Sequence, residues 1–188
     1  MRQTRYFSDP FPHFHARQAL DPDVALGILR WMKTSAPWRL VETDFYQQFE
    51  FSLRDVDIPN HLSCLGDGSL AAAVLEQMSS TFNLPLAEKV EIVAHKLNPG
   101  QRIRIHNDCL QGGETHRLVI QLNPSWTNAN GGLFMVFTSA NAEDVYRIIR
   151  PLHNTAVGFA ISNHSHHAIS TVYREARYSL ICSFRAMP

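Results

Sequence analysis

The pattern of hydrophobic residues changes near residue 88, and this change limits the folds open to the chain. After that point, short stretches of alternating apolar residues follow one another closely. Turn sequences separate them, among them Asn98-Pro99-Gly100, Asn130-Gly131-Gly132 and Arg150-Pro151. About eight short strands at this spacing are typical of an antiparallel sandwich or barrel, with jelly rolls among the options.

The first 88 residues carry two helical patterns and an aromatic stretch. Asp21-Pro22 predicts a helix start, because aspartate caps helices and proline favours their first position, and apolar residues recur at helical spacing to about Lys33. A second helix is predicted from Ser69, or two residues earlier, to about Phe82. The aromatic segment 38–53 between them predicts one or two strands.

These patterns together predict one mostly β (α+β) domain spanning 1–188. Segment 1–88 is expected to be a helical and aromatic support with two or so helices outside one sheet, and segment 89–188 the β core. The chain has 188 residues, of which 45% are hydrophobic, and this is enough apolar side chain for one packed core. Disorder as the main state is therefore excluded.

Charge and cysteine content narrow the partners and the compartment. Seventeen Lys and Arg balance seventeen Asp and Glu, and a neutral chain without a basic run is a poor candidate for nucleic-acid binding. Because there is no long apolar run or signal peptide, we expect no membrane contact. Three cysteines without a CxxC pair favour a reducing compartment and a cytoplasmic location. The sequence leaves the oligomeric state open.

The first group of candidate site residues is His106-Asn107-Asp108, where a strand pattern ends. On an extended chain, side chains two positions apart point to the same side, so His106 and Asp108 could reach one ion together. The alternative is a surface histidine beside a turn aspartate, because aspartate is common in turns.

The second group is the cluster of His164, His166 and His167, between two strand patterns. It contains either a metal ligand or only the histidines of a polar loop. Two histidines and one carboxylate can form the facial triad of non-haem Fe(II) oxygenases, which leaves coordination positions open. Zinc is chemically possible, but the chain has no HExxH sequence and no cysteine cluster.

The third candidate is Arg177, whose alternation partners on the last strand pattern are Ser179 and Ile181. An inward-pointing arginine is costly unless a carboxylate faces it, and neighbouring strand patterns offer no obvious acidic partner. A ligand carboxylate could fill that role. The alternatives are that Arg177 faces solvent, or that Arg174, in the preceding turn, is the binding residue.

From about Lys89 to Phe184, the chain resembles the prolyl-4-hydroxylase-like branch of the Fe(II)/2-oxoglutarate-dependent oxygenases. The matching stretches occur in the family's order: Asn98-Pro99-Gly100, His106-Asn107-Asp108, Arg117 to Asn123 with Trp126, Gly131-Gly132-Leu133, Pro151, Phe159, His167 to Val172, and Arg177-Tyr178-Ser179-Leu180. HxD alone is a weak signal, whereas the ordered set is a specific one.

The resemblance implies a double-stranded β-helix, which is a jelly-roll-like barrel. It also implies His106, Asp108 and His167 as the iron ligands and Arg177 as the anchor of 2-oxoglutarate. The implied enzyme is a dioxygenase that uses Fe(II), 2-oxoglutarate and O2 to hydroxylate an unactivated C–H bond, although desaturation or cyclisation would use the same parts. The presence of Asp108 argues against the halogenating relatives, which lack that carboxylate.

Three details refine the comparison with the family. His167 is preferred to His166 as the ligand, because the family has an apolar residue two positions later, here Ile169. Leu97 stands where a tyrosine is common, and Gln121 stands where another tyrosine often lies. Gln121 is a candidate to hydrogen-bond a carboxylate of the cosubstrate instead.

The substrate class stays broad at this stage: a small molecule, an amino acid or a peptide. The aromatic residues of the N-terminal third either wall the mouth of the barrel or form core, core being the commoner fate of such a set: Trp31, Trp38, Phe45, Tyr46, Phe49 and Phe51. Two other functions are open, namely a catalytically silent module that binds iron and 2-oxoglutarate, and a cupin-like metal enzyme that does not use 2-oxoglutarate.

Overall fold

The computed structural model describes residues 1–187 and shows two antiparallel sheets with two helices. The strands are β1 (Arg2–Phe7), β2 (His13–Arg17), β3 (Arg39–Glu42), β4 (Gln47–Ser52), β5 (Glu91–Leu97), β6 (Ile103–His106), β7 (His116–Gln121), β8 (Phe134–Phe137), β9 (Val145–Ile149), β10 (Thr155–Ala160), β11 (His167–Ile169) and β12 (Arg177–Phe184). The helices are α1 (Pro22–Thr34) and α2 (Ser69–Phe82), with short 3₁₀ helices at Asn60–Leu65 and Asn128–Asn130. Within residues 1–187, no helix has the length and apolar character needed to span a bilayer.

The strands form one large and one small sheet. The large sheet has the order β1-β2-β10-β7-β12-β5-β4-β3, and the small one has the order β6-β11-β8-β9. An isolated antiparallel bridge between Tyr46 and Ile103 links the large sheet to β6. The prediction of a mostly β, double-stranded β-helix fold with two helices is confirmed.

Helix α1 begins where the sequence predicts it. The side chain of Asp21 accepts hydrogen bonds from the backbone N–H groups of Asp23 (2.9 Å) and Val24 (3.3 Å), and Pro22 is the first helical residue. The face that α1 buries is apolar: Ala25, Ile28, Leu29, Trp31 and Met32. Burying this stripe fixes the helix against the outer face of the large sheet.

Two hydrophobic layers divide the domain. The outer layer lies between the helices and the large sheet, and the inner layer lies between the two sheets. Strand β12 alternates between them: Tyr178, Leu180, Cys182 and Phe184 join the outer layer, so Arg177, Ser179, Ile181 and Ser183 face inward. The alternation therefore places polar side chains on the inner face, where the candidate site is.

Strands β1 and β2 are not among the elements predicted from the sequence. On β2, Phe14 and Ala16 pack in the outer layer, whereas His13 and His15 point to the opposite side. Polar residues at inward positions hide the alternation that indicates a strand, and β1 is mostly exposed. Tertiary pairing of β2 with β10 organises this segment.

Candidate metal centre and cosubstrate pocket

Three predicted ligands come together at one end of the small sheet. Ligand atoms of His106, Asp108 and His167 all lie within 4.8 Å of one another. His106 ends β6 and His167 begins β11, and the two residues are directly opposite each other in the antiparallel pairing. Strand register therefore brings the two imidazole rings to a centroid distance of 4.2 Å.

Asp108 reaches the histidines by a turn rather than along an extended strand. The strand ends at His106, and Asp108 has a φ of +58°, in the left-handed region that aspartate tolerates better than most residues. Its carboxylate lies 3.3 Å from Nε2 of His106 and 3.2 Å from Nε2 of His167. The predicted proximity is confirmed, but the extended geometry assumed for it is wrong.

Hydrogen bonds to backbone carbonyls fix both imidazole rings. Nδ1 of His106 is 2.9 Å from the carbonyl oxygen of Arg104, and Nδ1 of His167 is 2.8 Å from that of Ser165. Because a carbonyl only accepts, each Nδ1 carries the proton and each Nε2 presents its lone pair to Asp108.

This donor set fits a divalent metal ion. Two unprotonated nitrogens and a carboxylate are all acceptors, and a metal cation between them would make their proximity favourable. Burial lowers the pKa of the His167 imidazole, which favours the neutral form that binds metals. Burial opposes ionisation of Asp108, whereas the guanidinium of Arg117 favours the charged carboxylate.

The other histidines of the second cluster lie outside the triad. His164 is exposed, and its carbonyl accepts the backbone N–H of His166 at 2.8 Å. Nδ1 of His166 is buried without a hydrogen-bond partner, and the ring is not part of the group that could hold a metal. His167 is therefore the member of this cluster that meets His106 and Asp108.

Arg117 is a site residue that the sequence indicated only as part of a matching stretch. Its guanidinium donates to Asp108 Oδ2 and to Glu114 Oε2, both at 2.5 Å. Arg117 faces inward from β7 because Leu118 and Ile120 take the outward positions. The contact orients the Asp108 carboxylate and neutralises part of its charge.

Arg177 is buried, with 2% of its surface exposed, and faces the same cavity as the triad. Its Nε donates to the carbonyl of Gly132 at 2.9 Å, its terminal nitrogens to Gln121 Oε1 at 2.9 Å and to Ser179 Oγ at 3.3 Å. Within residues 1–187, no Asp or Glu lies within 4.0 Å of this guanidinium. Burial lowers the pKa of Arg177 to about 9, so the group is still charged at neutral pH.

Several residues of the matching stretches hold Arg177 in place rather than line the site. Asn123 donates to the carbonyls of Pro151 and Tyr178 and accepts the backbone N–H of Tyr178 at 2.7 Å, which fixes the residue after Arg177. Trp126 donates its indole N–H to the carbonyl of Gly131 at 2.8 Å. The Trp126 bond holds the Gly131-Gly132 turn, whose Gly132 carbonyl accepts from Arg177.

The triad and Arg177 line one cavity of about 320 Å³ between the sheets. Its size suits a small ligand, and its walls mix apolar side chains with a few polar ones. Of the aromatic residues of the N-terminal third, Phe45 and Tyr46 line this cavity, whereas Trp31 and Phe51 are core. Some of the N-terminal aromatic residues therefore line the cavity and others form core, so each of the two predicted roles holds for part of the set.

A family model described as the 2OG-Fe(II) oxygenase superfamily matches residues 92–185, which is half of the chain. The chain belongs to this superfamily. The matched region contains the triad, Gln121 and Arg177. The protein is therefore an enzyme, a non-haem iron dioxygenase of the hydroxylase type whose cofactors are Fe(II), 2-oxoglutarate and O2.

Solved structures of other proteins share the fold of this oxygenase. A prolyl-4-hydroxylase from Pseudomonas putida is 20% identical, with a TM-score of 0.72 over 94% of this chain and 93% of that chain. A Trichoplax adhaerens prolyl hydroxylase in complex with a hypoxia inducible factor peptide fragment is 12% identical, with a TM-score of 0.72 over 92% and 83% of the two chains.

A third structure is the 2OG complex of a viral collagen prolyl hydroxylase from Paramecium Bursaria Chlorella virus-1. It is 14% identical, with a TM-score of 0.65 over 93% of this chain and 96% of that chain. A comparison with curated protein sequences finds no match. The family match gives the cupin-like alternative no support.

Proposed function

We propose that His106, Asp108 and His167 bind Fe(II) and that Arg177 binds the distal carboxylate of 2-oxoglutarate. One observation carries this proposal. The buried guanidinium of Arg177 has no carboxylate partner among residues 1–187, and it lies in the same cavity as three converging acceptor ligands. The cavity thus pairs a binding position for a metal with a binding position for an anion.

Hydrogen bonds around the metal position would orient the ligands for binding. The Nδ1 bonds of His106 and His167 hold each Nε2 in the orientation needed for binding, so ligand reorganisation costs little. Arg117 holds one oxygen of Asp108 and leaves the other for the metal. When bound, Fe(II) supplies the redox chemistry that couples decarboxylation of 2-oxoglutarate to substrate hydroxylation.

Gln121 and Ser179 would complete the anion site. The Oε1 atom of Gln121 accepts from Arg177, which leaves Nε2, a buried donor without a partner in residues 1–187, free for a carboxylate oxygen. The hydroxyl of Ser179, next to the guanidinium, supplies a further donor. Together they would replace the tyrosines that the family often has near this position.

We infer that the substrate is a small molecule, an amino acid or a peptide, because the cavity is small. Segment 1–88 would act as structural support for the β core within a single domain 1–188. A cytoplasmic location is the proposal best supported by three cysteines that form no disulfide.

Succinate release provides the test of this function. The Fe(II)-loaded protein should convert 2-oxoglutarate to succinate, and amino acids or short peptides that are substrates should stimulate the conversion. His106→Ala and Arg177→Ala should each abolish the stimulated reaction. A catalytically silent module would bind both cofactors without releasing succinate, and this outcome would refute the proposed function.

A further inference from the structure

We propose that Glu50, Gln48 and His95 form a subsite that binds a positively charged group of the substrate, such as an ammonium or a guanidinium. The inference rests on the proposed function, because it assigns a substrate class to the same cavity. The subsite lies on β4 and β5, which form one wall of that cavity.

Strand pairing brings the three side chains together. Glu50 is directly opposite His95, and His95 is opposite Ser179 on β12, so a polar row crosses the inner face of the sheet. Nε2 of Gln48 donates to Glu50 Oε2 at 2.6 Å and lies 3.4 Å from His95 Nε2. All three side chains line the cavity that contains the metal ligands.

The Glu50 carboxylate lacks a cationic partner. In residues 1–187, the sole basic side chain within 4.0 Å is His95, at 3.7 Å. Burial lowers the pKa of His95 to about 3, with the charges of Arg117 and Arg177 acting in the same direction, so the ring is neutral and forms no ion pair. Lys96, the next residue on β5, points to the opposite side of the sheet, over Trp38.

The cations of the cavity are already engaged elsewhere. Arg117 is bonded to Asp108 and Glu114, and Arg177 lies with Gln121. Neither therefore neutralises Glu50. The Glu50 side chain is 25% exposed, so water solvates its carboxylate only in part. A cationic ligand in the cavity would supply the counter-charge that the protein does not.

Gln48 gives independent evidence for a ligand at this position. Its side chain lines the cavity but is only 1% exposed, and its Oε1 atom has no hydrogen-bond partner. The Nε2 atom is committed to Glu50, so Oε1 is fixed as a free acceptor. Glu50 and Gln48 thus present two acceptors that a ligand with hydrogen-bond donors would satisfy.

2-Oxoglutarate cannot be that ligand, because both of its ends are carboxylates that accept hydrogen bonds. We therefore assign the donor to the substrate. Phe45 and Tyr46 line the same cavity, and the Phe45 ring centroid lies 5.3 Å from that of His106. Aromatic rings attract cations, so these residues favour a positively charged group near the metal position.

The experiment measures binding to protein loaded with Mn(II) and saturated with 2-oxoglutarate, which permits binding without turnover. Isothermal titration calorimetry compares L-arginine with L-citrulline, and L-lysine with L-norleucine. The wild type should bind the amino acid with a charged side chain at least about 10-fold more tightly than the one with a neutral side chain, as a charge-assisted hydrogen bond predicts.

Three variants locate the preference. Glu50→Gln should lose it, whereas Glu50→Asp keeps a carboxylate and should retain part of it. Glu76→Gln, which removes the same charge from an exposed position on α2, should retain it in full. Comparing the two Glu50 variants separates loss of charge from a folding defect, because a packing defect would affect both.

A second arm uses capped tripeptides with arginine, citrulline, lysine or norleucine at the centre. Tighter binding in this arm would identify a peptide as the source of the cation, and tighter binding of free amino acids would identify a small molecule. The inference is overturned if neither arm shows a charge preference, if no probe binds, or if Glu50→Gln retains the preference. Failure of the proposed function is a separate result, because it would appear as absence of succinate from Fe(II)-loaded wild type.

Discussion

Arg177 donates a hydrogen bond of 2.9 Å to Gln121 Oε1, and the amide nitrogen of the same glutamine is left without a partner. The two side chains thus present a charged donor and a neutral donor in one buried position. Charges that are buried without a partner are strongly unfavourable. This arrangement supports the proposal that the pair forms an anion site completed by a ligand.

Supplying the missing carboxylate internally should block this site. In Gln121→Glu, an oxygen replaces the amide nitrogen Nε2, and the resulting carboxylate forms with Arg177 the ion pair that 2-oxoglutarate would form. We expect the affinity for 2-oxoglutarate to fall at least about 10-fold, measured by calorimetry on Mn(II)-loaded protein. Gln3→Glu adds the same charge on exposed β1 and is the control. Unchanged affinity in Gln121→Glu would mean that the carboxylate binds elsewhere.

Removing one imidazole should remove the metal. His106→Ala deletes one of three ligands, and we expect most of the iron to be lost in elemental analysis of the purified, Fe(II)-reconstituted protein. His164 is an exposed histidine of the second cluster, and the His164→Ala variant should retain its iron. Full iron stoichiometry in His106→Ala, or its loss in His166→Ala, would show that the ligand set is wrong.

The Gly131-Gly132 turn should affect 2-oxoglutarate binding, because it holds the side chain of Arg177 in position. A Cβ atom at Gly132 would lie 2.9 Å from Arg177 Cδ, and the φ of this residue is +60°. Gly132→Ala should therefore displace the guanidinium and weaken 2-oxoglutarate about 10-fold or more, while iron binding persists. Gly68→Ala is the matched control, because its φ is +86° and no atom lies within 4 Å of the added carbon. Equal effects in the two variants would indicate backbone strain alone.

Acid should destabilise the fold through the half-buried His15 on β2. Burial lowers the pKa of His15 to about 4, with Arg147 adding to the effect. The unfolded chain protonates this group near pH ~6.5, so it binds more protons than the folded chain between the two values. The free energy of unfolding should therefore fall as the pH decreases from about 6.5 to about 4.

His15→Gln tests that dependence by urea unfolding of the metal-free protein. Its stability should change less with pH over the same interval than that of the wild type. His61→Gln, at an exposed position, should match the wild type. If His15→Gln shows the wild-type pH dependence, protonation of His15 does not contribute.

The sequence predicts those helices and strands whose formation depends mainly on one local pattern. Asp21 and Pro22 mark a helix start because capping is a local effect, and the strands after residue 88 alternate because one face of each packs in the core. The inward position of Arg177 follows from the same alternation and is confirmed by its burial. Its role as an anchor, like that of Gln121, stays a prediction.

What the sequence does not reveal depends on tertiary contacts. Glu50 and His95 occupy inner positions, but a polar residue in an alternating strand is normally assigned to the solvent side. Asp108 approaches the histidines through a left-handed backbone conformation, which the spacing of residues in the sequence does not predict. The cavity residues that the sequence missed, Glu50 and His95, are therefore polar residues that face inward.

The measurement that tests the central claim most directly is 2-oxoglutarate binding to Mn(II)-loaded Arg177→Ala and Arg174→Ala, compared with wild type by calorimetry. We predict that Arg177→Ala weakens binding at least about 10-fold with the metal retained, and that Arg177→Lys recovers only part, because a point charge lacks the two-pronged geometry. Arg174 is exposed in the turn before β12, and its removal should do little. Abolished binding in Arg174→Ala with near-normal binding in Arg177→Ala would contradict the account.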